Sequence, residues 1–220
     1  MWAVVCLLFS ITAHAVQSPD IALPAQTTLT WVARQINFNG MALQVQMLDS
    51  RLPQEEIEQF YQEYCQAKLE RLPLNYPLGP WHVTAWKESH FFITLMLRST
   101  DTSGTQGYLT VRDLLANRKT PLGSGFPAPG GSRFINDLVD LEPGRSARTL
   151  VFRNRMGINS HLNHFRNHFK AGDWALVDEK GDATRSHFMI WRRDREEVTL
   201  VFSRQEGYTH TAASIVHKQL

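Results

Sequence analysis

The chain has 220 residues, 43% of them hydrophobic, and a formal net charge of +2, enough length for one core or two small ones. Its charge is uneven: residues 1–115 hold seven Lys/Arg against ten Asp/Glu, and residues 116–220 hold sixteen against eleven. The basic second half can attract anionic partners, but its basic residues form no nucleic-acid recognition motif.

Residues 2–11 are uncharged and almost wholly apolar, and Ala13-His14-Ala15 follows with the small residues a signal peptidase accepts. An apolar run of about ten residues is too short for a hydrocarbon core that needs roughly twenty. Residues 1–15 are therefore expected to be a cleaved export signal, although no Lys or Arg precedes the apolar run. Cys6 leaves with that segment, so the mature chain keeps one thiol, Cys65, and cannot form an internal disulfide. Stability must come from the core. No later segment reaches transmembrane length. A periplasmic protein that does not span the membrane is the expectation.

The first unit is expected over residues 16–115. Two strand-like runs, at 31–36 and 41–48, flank Asn39-Gly40, a strong signal for a type I′ hairpin. Pro53, Glu55 and Glu56 then suit a helix start. Ile57, Phe60, Tyr64 and the stem of Lys68 mark one face of that helix, which fades before Pro73. Strands are predicted at 82–86, 91–97 and 108–114. Residues 116–133 carry a Gly/Pro-rich run that can continue neither a helix nor a central strand, and are expected to link the units. The second unit, 134–220, repeats the order: a strand at 147–153, a helix through 158–171, and strands at 174–177, 187–193, 198–203 and 208–216. Sliding by 105 residues lays Phe60 on Phe165, His82 on His187 and Trp86 on Trp191. The expected fold is α+β: two similar units related by internal duplication, each with one helix on an antiparallel sheet. They would sit side by side with pseudo-twofold symmetry, with a continuous sheet between them as one option.

The stretch NSHLNHFRNHF sets His161, His164 and His168 three and four residues apart, along one helical stripe. Neutral imidazoles so placed are weak candidates for Zn²⁺ or Cu²⁺. No carboxylate joins them as in a HExxH site, and in the proposed repeat their counterparts Glu56, Gln59 and Glu63 are polar. The stripe is read as a solvated flank. His82 and Trp86, like His187 and Trp191, lie four apart on strands, so each pair faces one side of a sheet. That arrangement suits either a shared ligand surface or packing beneath a helix. Arg145, Arg148, Arg153 and Arg155 surround one strand, and Arg192, Arg193 and Arg195 follow Trp191; should they meet, they would form an anion-binding patch.

Gly123-Ser124-Gly125 lacks the strand-to-helix turn of a nucleophile elbow, and Cys65 is read as a structural thiol. Neither catalytic residues nor a cofactor are assigned. The leading expectation is a non-catalytic periplasmic protein that binds another envelope component, such as a protein or an anionic lipid or glycan, as an accessory of secretion or surface assembly. The alternatives are a periplasmic carrier of a small ligand or lipid, and an enzyme with an unrecognised site. A pocket of several hundred cubic ångströms between helix and sheet would favour the carrier.

Overall fold

A computed structural model describes residues 19–101, 103–117, 120–141 and 145–218. The expected export signal at 1–15 lies outside the described residues.

The Asn39-Gly40 hairpin forms. Strands β1 (Thr27–Phe38) and β2 (Met41–Ser50) flank it, and the two turn residues have φ of 53° and 86°. Those left-handed values are what a type I′ turn demands, and Asn and Gly tolerate them. Helix α1 (Gln54–Leu69) begins after Pro53 with Glu55 and Glu56 in its first turn. Strands β3 (Leu74–Leu78), β4 (Trp81–Glu88), β5 (Phe91–Ser99) and β6 (Thr105–Asn117) follow. The second half runs β7 (Arg133–Asp140), β8 (Arg145–Asn154), α2 (Ile158–Ala171), β9 (Ala175–Asp182), β10 (Ser186–Arg193), β11 (Glu196–Gln205) and β12 (Tyr208–Lys218).

All twelve strands join one antiparallel sheet in the order β3-β4-β5-β6-β2-β1-β7-β8-β12-β11-β10-β9. This corrects the expected α+β fold of two helix-on-sheet units. Strand makes up 57% and helix 16% of the described residues, and the two helices among them are short elements on one continuous sheet. The physical reason lies at the centre. Strands β1 and β7 would each leave an unpaired edge, and they pair with each other through Ile36–Asp140, Asn37–Val139 and Phe38–Leu138. The Gly/Pro-rich run is likewise no bare spacer, because Phe126 and Ala128 pack against the second-half core.

Strand register decides where that core sits. Asn37 pairs with Ala42 on β2 and with Val139 on β7, and Val139 pairs with Arg148 on β8. Alternation along β2 and β8 then puts Leu48 and Leu150 on the same side of the sheet. Both helices cover that side. Under α1 lie Leu48, Trp86, Ile93, Leu95 and Leu97, and under α2 lie Leu150, Phe152, Trp191, Leu200 and Phe202.

The 105-residue offset misplaces the helix faces. Helix α1 buries Ile57, Tyr61 and Cys65, whereas α2 buries Ile158, His161, Leu162, Phe165 and Phe169. Phe165 sits among Phe126, Phe169 and Phe202. Phe60 is only half-buried beside Tyr61, so the two rings do not occupy equivalent surroundings.

The central seam is fixed by Asp137, whose side chain is 10% exposed. Its carboxylate accepts both Arg148 Nε at 2.9 Å and Nη2 at 2.7 Å, and also Gly123 N at 2.9 Å. Asn39 clips the same residue's backbone: Asn39 N donates to Asp137 O at 2.9 Å, and Asp137 N to Asn39 Oδ1 at 2.8 Å. Breaking a buried pair strands one charge, so Asp137→Ala is expected to cost roughly 3 kcal/mol. Replacing Asp137 and Arg148 together should cost less, as measured by urea unfolding.

Candidate functional site

A solvent-open groove of about 480 Å³ lies beside the second-half core, at the C-terminal end of α2. Four separated segments build it. The strap after β6 supplies Phe126 and Pro127, and α2 supplies His168, Phe169 and Ala171. Trp174 follows the helix. Val198 and Ile215 form the floor from paired positions on β11 and β12.

Local chemistry holds each wall. Gly123 has φ of +75°, and a β-carbon there would lie 2.2 Å from the Phe134 ring; only glycine lets the strap descend at this point. His164 Nε2 lies 2.8 Å from Pro127 O and ties the strap to α2. The helix ends where Trp174 N donates to Phe169 O at 3.0 Å, which folds the indole back edge-on to the Phe169 ring. Arg193 stacks over Trp174 at 4.7 Å, and donates to Gly172 O at 3.2 Å and Glu196 Oε2 at 2.8 Å. His217 Nδ1 lies 3.1 Å from the other Glu196 oxygen. The result is an apolar trough with an ionic rim.

Few of the residues singled out from sequence meet here. Only Arg193 and His168 line the groove. His82 and Trp86 lie under α1, where Tyr61 stacks on Trp86 with ring centroids 5.3 Å apart, and His82 Nδ1 meets Glu58 at 2.5 Å. His187 and Trp191 lie in the second half, with Phe169 stacked on Trp191 at 5.4 Å and Glu179 2.9 Å from His187. Each pair thus packs beneath its own helix, in separate halves of the sheet. Arg166 also pairs with Glu179. Burial would raise the Glu179 carboxyl, but hydrogen bonds from Arg166 and His187 outweigh it and hold the group below its usual range. Arg148 is held by Asp137 at the seam. Arg192 pairs with Glu197 across adjacent strands, on the sheet face opposite Arg193. Arg148, Arg192 and Arg193 therefore form no common patch.

The histidine stripe needs a correction. His168 is exposed and His164 half-buried, but His161 is fully buried. The apolar face of α2 is wide enough to include it. His161 lies between Phe152 and Phe202 with Nδ1 3.2 Å from Thr211 Oγ1. Burial, reinforced by the charges of His164 and Arg204, pushes it down to about 4. Among the described residues, no group of three or more His, Cys, Asp or Glu side chains is placed to hold a metal ion. Cys65 is buried, and burial, with Glu88 nearby, raises its thiol to about 11; it is not poised as a nucleophile.

The groove itself had little signal in sequence. Phe126 and Trp174 are its key aromatic walls, and neither belongs to a periodic pattern. No helix among the described residues is long and apolar enough to cross a membrane.

The sign of the His161 effect follows from its lowered folded value. The unfolded chain binds a proton near the usual 6.5 while the folded chain resists until about 4. Stability is therefore full above pH 6.5 and falls as pH drops toward 4, by about 3 kcal/mol if the whole shift is expressed. In His161→Leu, this part of the slope should vanish from urea midpoints measured between pH 7 and 4. An unchanged slope would show that His161 is not the titrating group.

No known protein family, curated protein or solved structure matches the chain.

Proposed function

We propose that this is an exported, non-catalytic binding protein of the periplasm that carries an amphiphilic small molecule in the groove beside α2. The single observation that carries the reading is the trough of about 480 Å³ between helix, strap and sheet. Its size lies in the range of small-ligand sites, and its mostly apolar lining with a few polar rim groups has the composition such sites use. A chain or ring system would rest against Phe126, Phe169, Val198 and Ile215, while its polar end met Arg193 and Glu196. This reverses the order of the two binding readings made from sequence, because a helix–sheet recess is the feature expected of a carrier.

The adaptor reading keeps one specific support. Strand β3 is an exposed sheet edge, and Leu74, Tyr76 and Leu78 on it are 66%, 46% and 53% exposed. An extended segment of another envelope protein could add there as a further strand.

Native mass spectrometry of protein purified from an envelope fraction separates the two. The carrier reading expects a co-purifying amphiphile at one per chain, displaced by single-chain fatty acids. An Ile215→Trp variant, filling the floor, should weaken that binding at least tenfold. Val198→Phe provides a second, smaller obstruction should the first disturb folding. A bare mass with a stably crosslinked protein partner would reject the carrier. Sequencing the mature N-terminus tests export: cleavage after Ala15 is expected, and a retained Met1 in the periplasmic fraction would contradict it.

A further inference from the structure

A second recess, of about 310 Å³, lies at the other end of the second half, where β7 and β12 begin and β8 ends. Arg133, Arg153, Arg155 and Tyr208 line it together with Gly130 and Gly131. Arg133 stands directly across from Arg153 on neighbouring strands, and His210 flanks Arg153 on its other side. Like charges placed opposite each other destabilise a sheet. Among the described residues, none of the three arginines forms an ion pair with a carboxylate. Glu206, in the adjoining hairpin, is exposed and makes no ion pair with them.

The cluster is nevertheless organised. Arg153 and Arg155 sit over the Tyr208 ring at 4.8 and 5.6 Å, and Arg155 Nε donates to Tyr208 Oη at 3.3 Å. The hydrogen bond and charge of Arg155, with Arg153 and Arg133 beyond, draw the Tyr208 hydroxyl below its usual value. Asn154 Nδ2 donates to Gly130 O at 3.0 Å and holds the glycine turn over the site. Gly131 has φ of +72°, and a β-carbon at Gly130 would meet only open space. Arg204 braces the opposite wall through Met156 O at 2.8 Å.

We propose that this recess is an anion site for a phosphoryl group, carried by a soluble phosphate ester or by a phospholipid headgroup. Guanidinium forks bind phosphate oxygens through paired hydrogen bonds. Three of them around one recess match a tetrahedral group with several charged oxygens better than a two-oxygen carboxylate. The site lies at the opposite end of α2 from the apolar groove and does not depend on it.

Calorimetric titration of the full chain with pyrophosphate at 0.15 M salt tests the soluble source. Sedimentation with phosphatidylglycerol against phosphatidylcholine vesicles tests the headgroup. Saturable binding is expected in at least one arm, and that arm names the source. It should weaken at least tenfold in Arg153→Gln and in Arg133→Gln. Without any anion, both variants should melt no lower than the parent, since repulsion across the strands is relieved. Failure to bind in both arms, or binding that survives both substitutions, would overturn the proposal whatever the groove holds.

Discussion

The carboxylate of Asp137 is the interaction on which the arrangement turns. It is held away from water and accepts hydrogen bonds from Arg148 and from the backbone of Gly123, while its own backbone is clipped by Asn39. One residue thus joins the hairpin of the first half, the first two strands of the second half and the strap between them. Without a partner such a carboxylate would be costly at this depth. With Arg148 and Gly123 in place, it fixes how the strap leaves the seam and therefore where Phe126 arrives. The groove beside α2 exists because Phe126 and Pro127 stand opposite Phe169 and Trp174.

A sheet this wide with both helices on one side has a second consequence. The covered side holds both cores, and strand alternation sends Met47, Tyr108 and Val201, each more than a third exposed, to the other. Joining β1 to β7 removes two edges and leaves β3 and β9 as the ends. The groove and the arginine recess both lie where strands end and loops meet, near the two ends of α2.

Much of the strand pattern was legible because it rests on local chemistry. Asn39-Gly40 announces its turn, and the strand-like runs at 31–36 and 41–48 announce the strands on either side of it. Two strands were not. Strand β3 contains Pro77 and buries none of its residues, so it shows no apolar period. Strand β7 carries a bulge between Phe134 and Asn136 and buries Asp137, which breaks both alternation and polarity. The α+β reading failed at the step that local patterns cannot reach, since nothing in the composition of β1 or β7 says that each is the other's partner. The α1 face was misread by one residue because its aromatic residues crowd at 60, 61 and 64, and the α2 face is wider than the three positions read for it. Tyr61, not Phe60, therefore points into the core, and His161 was assigned to water. The groove was illegible since its walls come from four distant segments, and the arginine recess was half legible, with Arg153 and Arg155 noticed but Arg133 and Tyr208 not.

The strap's attachment at the seam is the most exposed point of this account, and the amide of Gly123 reports on it directly. Hydrogen exchange at that one N–H, followed by NMR in the intact protein, should be slow and should become fast in Asp137→Asn while amides of the central strands stay protected. A Gly123 amide that already exchanges at the rate of an open chain in the parent protein would contradict the central claim, because the strap would then not be held and the groove would have no fixed wall.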